Sequence, residues 1–209
     1  MKLYKYRPIG TQIDKERLCD IIENQRIYCP IPKKLNDPYD CNIGTADQLL
    51  GHLVNLGIFS ASGQGHDDIL LFSYYGGEHT GVCLEFEVDI QKAIGDVTFL
   101  GSAQQVDYVK NFPAFSRETI HRLPWTKYNA WKHENEYRVP ANLDFDASPY
   151  RFFEKEELVG IRCGLRIDPK DLKLIKDWVD ANDYPNLTLY KTILRNDSFS
   201  LEYKITGSE

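Results

Sequence analysis

Two carboxylates and a guanidinium stand at every second position near the middle of the chain. Glu134, Glu136 and Arg138 lie within residues 131–139. Alternate residues of a β-strand share a face, so a strand over this stretch would set the three side chains side by side. Neighbouring carboxylates raise each other's pKa and a nearby guanidinium lowers it, which is how an acid–base site is adjusted. The other interpretation is a solvated Glu/Arg ladder on a sheet edge, which contributes little.

Composition predicts a single domain over residues 1–209 with an ordinary core. Hydrophobic residues make up 42% of the chain, and the formal net charge is -6. That charge argues against tight non-specific nucleic-acid binding through a broad basic surface. The five cysteines form no C-x-x-C pair, and no apolar run is long enough to span a membrane. We therefore expect a reduced, cytoplasmic protein that does not enter a membrane.

Several common catalytic and nucleotide-binding motifs are absent from the sequence. It contains no G-x-G-x-x-G after a predicted strand, no G-x-x-x-x-G-K-[ST], no H-E-x-x-H and no G-x-S-x-G. The five histidines show no i, i+4 pairing. Rossmann, P-loop, zinc-protease and serine-hydrolase sites are thus unsupported, and no metal site is predicted.

Hydrophobic periodicity predicts strands and helices that alternate irregularly. Strands are predicted at 3–7, 26–29, 58–60, 81–88, 97–100, 105–108, 131–139, 159–163, 187–192 and 198–205. Helices are predicted at 13–26 with Asp14 as N-cap, at 46–56, within 116–128, and at 168–182 with Asp168 as N-cap and Pro169 at the first helical position. Residues 69–75 fit either type. Without a βαβ rhythm, the fold class is α+β, with mixed, mostly antiparallel sheets and flanking helices.

Five segments resemble, in the same order, a widespread bacterial family of single-domain proteins of uncharacterised function, some encoded near phage-defence genes. The segments are residues 3–7 (LYKYR), residues 35–40 (LNDPYD), Phe59-Ser60, Tyr75 with residues 79–82 (HTGV), and K-x-x-x-W-x-x-E-x-E-x-R from 127 to 138. The likeness covers essentially the whole chain. It departs at Leu71-Phe72, where the family has Met-Trp, which concerns local packing. It implies a toxin or defence effector, or a partner in a toxin–antitoxin or defence complex.

The order of elements also resembles that of ADP-ribosyltransferases of the poly-ADP-ribose polymerase type. The likeness rests on residues 57–60 (GIFS), Tyr75, residues 81–84 (GVCL) and residues 135–139 (NEYRV). In those enzymes a first-strand His, a middle Tyr and a late Glu form the site. Here the first-strand position is taken by Tyr6 or Arg7, which fits an Arg-using subclass equally well. The resemblance implies an ADP-ribosyltransferase-like fold, with NAD⁺ as substrate and a protein or nucleic-acid acceptor.

The resemblance implies specific roles in cleavage of the nicotinamide–ribose bond. Nicotinamide leaves as a neutral molecule, so the enzyme must stabilise a ribosyl oxocarbenium ion with negative charge. The catalytic residues are Glu136, which would face that ion and hold the 2′-hydroxyl, and Glu134, which would orient the acceptor. The cofactor-binding residues begin with Tyr6 or Arg7 on the first strand, where Arg7 would contact the pyrophosphate. Ser60 would bind the carboxamide or the ribose, and Tyr75 would stack on the nicotinamide ring. His79 would orient Tyr75 or contact the adenosine, and Arg138 would offset the repulsion between the carboxylates.

Each of these residues also has a plain structural interpretation. Tyr75 could be core, Ser60 a strand-end hydroxyl, and His79 a structural histidine, while Arg7 could form a salt bridge with Glu136. Asn36, Asp37 and Asp40 could fix a turn or brace Arg7, and Trp131 and Lys127 could pack or cap, with Lys127 also a candidate phosphate contact.

Three other functions stay open alongside the transferase. An NAD⁺ glycohydrolase would use water as acceptor. A non-catalytic binding or regulatory module would leave Glu134 and Glu136 exposed. A glycosidase-like hydrolase would place the two carboxylates on either side of a sugar.

Overall fold

The structure, a computed structural model, describes residues 1–40, 55–65, 69–89, 98–114, 116–143 and 148–206. The strands are β1 Lys2–Arg7, β2 Arg26–Tyr28, β3 Leu56–Ser62, β4 Val82–Glu87, β5 Gln104–Gln105, β6 Asp107–Val109, β7 Thr126–Tyr128, β8 Glu136–Asn142, β9 Tyr150–Phe152, β10 Leu158–Cys163, β11 Thr188–Leu194 and β12 Leu201–Ile205. The α-helices are α1 Gln12–Asn24, α2 Ile69–Tyr75, α3 Arg117–Arg122 and α4 Pro169–Ala181. This is the predicted mixture of helix and mostly antiparallel strand.

The chain divides into two compact units, each assembled from separate segments. Unit 1 comprises Met1–Arg26, Gln64–Asp89 and Phe153–Glu209, and unit 2 comprises Ile27–Gly63 and Ile90–Phe152. The single domain expected from chain length stays a prediction.

Unit 1 is built on five strands in the order β12-β11-β10-β4-β1. Neighbours are antiparallel except for the parallel pair β10 and β11. The β1–β4 register places Arg7 opposite Val82. Directly before β4, Gly81 approaches β1 so closely that an added Cβ would lie 2.1 Å from the Arg7 carbonyl oxygen. A side chain at position 81 would therefore force the end of β1, and Arg7 with it, to move.

Helix α1 begins one turn earlier than its predicted cap. Thr11 is the N-cap, and Asp14 is the third helical residue, whose carboxylate accepts from the Thr11 backbone N–H at 3.2 Å. The prediction of Asp14 as N-cap was wrong because Asp14 completes a capping box instead of opening the helix. Helix α4 has the predicted Asp168 cap and Pro169 start. The two helices are joined by an ion pair between Lys15 and Asp171.

Unit 2 is built on the long antiparallel pair β3 and β8, with β5 on the other edge of β8. The β3–β8 register runs from Leu56 opposite Asn142 to Ser62 opposite Glu136. Strands β6 and β7 form a parallel pair, and β2 and β9 form another two-stranded sheet.

The strand predicted at 131–139 is correct only from Glu136 onward, and the strand predicted at 97–100 is wrong over its described residues, 98–100. Residues Asn129–Glu134 form a 3₁₀ helix that ends at Asn135 in the left-handed region (φ 43), and β8 begins only at Glu136. Asn tolerates that conformation better than most side chains, so it can join the helix to the strand. Residues 98–102 form a turn and a short 3₁₀ helix, Leu100–Ser102, instead of a strand.

The segment 69–75, which fitted either helix or strand, is resolved by the structure. Residues Ile69–Tyr75 are helical. The helix predicted at 46–56 falls almost wholly outside the described residues. Within the described ranges, no helix combines the length and apolarity needed to cross a membrane.

Candidate functional site

A buried lysine holds both predicted catalytic carboxylates in unit 2. Lys127 sits in the middle of β7, and its Nζ donates to Glu136 Oε2 at 2.7 Å and also contacts the carboxylate of Glu134. The side chains of all three are at least nine-tenths buried. The ammonium lies 5.1 Å from the ring centroid of Trp131, within range of a cation–π interaction.

Arg138 is fully buried and links the same carboxylates to a distant loop. Its Nε donates to Glu136 Oε1 at 2.7 Å and its Nη2 to Glu136 Oε2 at 3.0 Å, a fork-shaped pairing. Its Nη2 also donates to Asp40 Oδ1 at 2.7 Å, and its Nη1 to the carbonyl oxygen of Pro124 at 3.1 Å. The guanidinium thereby joins β8 to residues 98 positions away in sequence.

The charges in this network explain which carboxyl ionises easily. It contains two cations, Lys127 and Arg138, and three carboxyls, of Glu134, Glu136 and Asp40. Burial opposes ionisation of Glu136, but Arg138 and Lys127 outweigh it and lower the Glu136 pKa to about 2. Burial raises the Asp40 pKa to about 6, because Arg138 is offset in part by the nearby Glu136. Asp40 therefore takes up a proton as the pH falls through about 6, whereas Glu136 stays ionised.

Strand β3 places two serines beside these charges. The register sets Ser60 opposite Arg138 and Ser62 opposite Glu136. Ser62 Oγ donates to the carbonyl oxygen of Glu134 at 2.7 Å, which holds the end of the 3₁₀ helix against β3. Unit 2 thus brings together four of the predicted site residues: Ser60, Glu134, Glu136 and Arg138.

The other four predicted residues belong to unit 1. Tyr6 is buried in a cluster that includes Phe72 and Cys83, and Tyr75 packs against that cluster. The Tyr6 ring meets Phe72 edge-on with centroids 4.9 Å apart. These contacts match the core interpretation of Tyr75 and extend it to Tyr6.

Arg7 and His79 each carry a buried nitrogen that lacks a hydrogen-bond partner among the described residues, Arg7 Nε and His79 Nδ1. Burial lowers the pKa of Arg7, and the charge of Arg17 adds to the effect. Burial likewise lowers the pKa of His79, assisted by Arg166. The His79 ring stacks on Phe72 at 5.7 Å. Both residues have unused donor or acceptor capacity.

The buried acids of unit 2 have partners from the same unit. Glu136 pairs with Arg138 and Lys127, and Asp40 braces Arg138. Asp37 does fix the predicted turn, because its Oδ1 accepts from the Tyr39 N–H at 2.9 Å. Glu134 and Glu136 are buried, so the exposure expected for a non-catalytic module was wrong.

Sequence reasoning missed Lys127 and Asp40 as members of the charge network. For Lys127 a signal existed: a lysine between strand-forming aromatic residues is costly to bury unless carboxylates accompany it, and two follow within nine residues. For Asp40 the chain offers no comparable signal, because its partner Arg138 lies far along the sequence.

A cavity of about 230 Å³ opens beside this network, entirely within unit 2. Asp37, Asp40 and Lys127 contribute its charged lining. Tyr39, Phe112 and Tyr128 also line it, and each has more than half of its surface exposed. Glu134 and Glu136 are not among the lining residues. Among the described residues no group of three or more His, Cys, Asp or Glu is arranged to hold a metal ion.

Replacing Asp40 by asparagine should change how stability depends on pH. The folded-state pKa of Asp40 lies above its ordinary value of 3.8, so its contribution is full below that value and is lost as the pH rises through about 6. The free energy of unfolding of wild type minus that of Asp40→Asn should fall by about 2 kcal/mol from pH ~4.5 to ~7. Urea unfolding at several pH values measures this. The corresponding free-energy difference for Asp197→Asn, at an exposed hairpin residue, should not change with pH. If the difference for Asp40→Asn were also independent of pH, the raised pKa of Asp40 would be contradicted.

Comparisons of the chain with protein-family models, with curated proteins and with solved structures find no match.

Proposed function

We propose that this chain cleaves NAD⁺ between nicotinamide and ribose and transfers ADP-ribose to a macromolecular acceptor, on an ADP-ribosyltransferase-like fold. The observation that carries the proposal is the carboxylate of Glu136, held ionised beside Ser60 and Ser62 on the paired strands β3 and β8. The proposed biological setting is a toxin or phage-defence effector that acts in the cytoplasm.

The charge state of Glu136 suits an oxocarbenium transition state. With its pKa at about 2, the carboxylate is ionised at any physiological pH, so no proton must leave before the sugar carbon becomes positive. Arg138 and Lys127 fix its position before the reaction, which is the preorganisation that makes electrostatic stabilisation effective.

Glu136 also retains capacity for a ligand. An ionised carboxylate offers about four acceptor positions. Within the part of the chain that the structure describes, three are taken, by Nε and Nη2 of Arg138 and by Nζ of Lys127. The remaining position on Oε1 is the one we assign to the ribose 2′-hydroxyl, and Ser60 on the adjacent strand is assigned to the ribose or carboxamide.

Three further residues of the proposal, Arg7, Tyr75 and His79, lie in unit 1. The guanidinium of Arg7 has no carboxylate partner within the described residues and has a buried Nε without a hydrogen bond, so it is suited to a pyrophosphate oxygen. Tyr75 is assigned to the nicotinamide ring and His79 to Tyr75 or the adenosine. Arg7 replaces Tyr6 as the first-strand residue of choice, because the Tyr6 ring is buried in the core.

The decisive experiment compares nicotinamide release by wild type with that by Glu136→Asp. The shorter side chain keeps the negative charge that Arg138 and Lys127 require but withdraws the carboxylate from the sugar. We expect release to fall about 100- to 1,000-fold, with a cooperative urea transition retained. Glu136→Gln should abolish both nicotinamide release and labelling of lysate macromolecules by labelled NAD⁺.

The matched control is Glu202→Asp, on the exposed face of β12, which should leave release unchanged. Absence of release by wild type, or equal rates for wild type and Glu136→Asp, would overturn the proposal. Release of nicotinamide without labelled macromolecule would identify an NAD⁺ glycohydrolase.

A further inference from the structure

The proposed chemistry does not use the cavity of unit 2. Neither Glu134 nor Glu136 lines it. It needs its own explanation, and its volume of about 230 Å³ sets the scale of an occupant. An apolar cavity of about 150 Å³ accepts a benzene molecule, so a ring-sized group fits.

One buried oxygen in the lining lacks a partner. Asp37 is 4% exposed, and its Oδ2 accepts no hydrogen bond from the described residues, while its Oδ1 is occupied by the Tyr39 N–H. A buried carboxylate oxygen without a donor is unfavourable, and native proteins rarely leave one unused. The cavity therefore offers an acceptor that awaits an N–H or O–H donor.

The charge around the cavity favours a cation. Lys127 is the one cation among the described residues that line the cavity, and its charge is already matched by Glu134 and Glu136. Asp40 is likewise paired with Arg138, so Asp37 is the carboxylate of the lining that no cation of the described residues pairs with. A neutral or anionic occupant would leave this charge unbalanced.

The aromatic rim of the cavity, formed by Tyr39, Phe112 and Tyr128, favours one type of cation over another. Tyr39, Phe112 and Tyr128 expose their rings at the cavity, and aromatic faces attract cations. A guanidinium is planar, more weakly hydrated than an ammonium, and stacks on rings while donating N–H groups edge-on. A compact ammonium would lose more hydration in a lining that is mainly apolar.

We propose that this cavity binds a planar guanidinium-type cation, with an N–H donated to Asp37 Oδ2 and the plane packed on the aromatic rim. The chemistry is the same whether the group belongs to a small molecule or to an arginine side chain of a partner protein. The inference does not depend on NAD⁺ cleavage, and its test contains no NAD⁺.

Calorimetric titration of the full chain with phenylguanidine and with phenylurea tests the charge requirement. The two probes have similar shape and both donate N–H groups, but only phenylguanidine is cationic. We expect phenylurea to bind at least about 10-fold more weakly, the scale of one charge-assisted hydrogen bond. Tetramethylammonium, a cation without N–H, should also bind more weakly. Equal affinities for the two phenyl probes, or no binding of phenylguanidine, would overturn the proposal.

Variants then locate the binding. Asp37→Asn keeps the shape and the Oδ1 acceptor but removes the charge, and should weaken phenylguanidine binding about 10-fold or more. Phe112→Ala, at an exposed rim position, should weaken it with little effect on the urea transition. The control Asp197→Asn should bind as wild type does. Unchanged affinity in both Asp37→Asn and Phe112→Ala would place the binding elsewhere and refute the assignment.

The source of the cation is resolved by a further pair of ligands. Agmatine represents a free small molecule, and a short blocked peptide with one central arginine represents a partner protein. Tighter binding of the peptide would assign the cavity to a partner's arginine, and tighter binding of agmatine to a small molecule. If neither binds although phenylguanidine does, the assignment to a guanidinium group fails, because the guanidinium without the phenyl ring would not suffice for binding.

Discussion

Replacing Arg138 by methionine should lower the free energy of unfolding by about 3 to 5 kcal/mol, the usual effect of removing one partner from a buried ion pair. The loss arises in three places. Glu136 keeps only Lys127 as a cation, Asp40 loses its guanidinium partner, and the carbonyl oxygen of Pro124 loses its donor. Urea unfolding measured by fluorescence and by circular dichroism gives the free energy.

The matched control is Arg122→Met, in the same unit. Arg122 pairs with Asp107, but the two side chains are 72% and 55% exposed. An exposed pair contributes about 1 kcal/mol or less. If the two variants lost equal stability, the buried Arg138 network would contribute no more to the free energy of unfolding than an exposed salt bridge, and the prediction would be wrong. Arg138→Lys, which keeps the charge but loses the fork to Glu136, should fall between them.

The contrast between Arg138 and Lys127 shows what local sequence pattern can and cannot predict. The alternation of Glu136 and Arg138 correctly placed both on one face of a strand, because β8 covers both positions. The same alternation wrongly assigned Glu134 to the strand, since this residue ends a 3₁₀ helix before the strand begins. Glu134 still reaches the network because the left-handed Asn135 turns the chain between helix and strand.

The hydrophobic and charge pattern of the sequence could not predict contacts between distant segments. Strand periodicity is a local property, whereas the Arg138–Asp40 pair joins residues 98 positions apart. The Asn-Asp-Pro turn was correctly predicted to involve Asp37, whose Oδ1 bonds the backbone two residues on. The same local chemistry suggested that Asp40, three residues later, fixes the turn or braces Arg7, but it did not predict the pairing with the buried Arg138.

In the fold as a whole, capping and periodicity predicted the existence of helices and strands better than the residues at which they begin and end. Helix α4 has its predicted cap and first proline, and β11 pairs with β12 as the predicted terminal hairpin. Helix α1 exists but starts from Thr11, since a Thr three residues before an Asp forms a capping box that hydrophobic periodicity alone does not reveal.

Lys127→Met should destabilise unit 2 by about 3 kcal/mol, for the same reason as Arg138→Met but through a different carboxylate. Glu134 loses the ammonium that contacts it, and Glu136 is left with Arg138 alone. Burial would otherwise lower the Lys127 pKa, but Glu136 and Glu134 raise it, so this lysine is charged in the folded protein and its removal unbalances two carboxylates. The control is Lys2→Met, whose half-exposed ammonium shares Glu85 with Arg162. It should lose about 1 kcal/mol or less.

A double-mutant cycle separates charge balance from packing. If the loss in Lys127→Met comes from the uncompensated carboxylate, Glu134→Gln should restore part of it, and the double variant should be more stable than the sum of the single effects predicts by about 1 kcal/mol or more. Combining Lys127→Met with the exposed Glu202→Gln should instead be additive within about 0.5 kcal/mol. Additivity in both cycles would mean that Lys127 stabilises the unit through its hydrocarbon chain and Trp131, and that the two glutamates are not held by its charge.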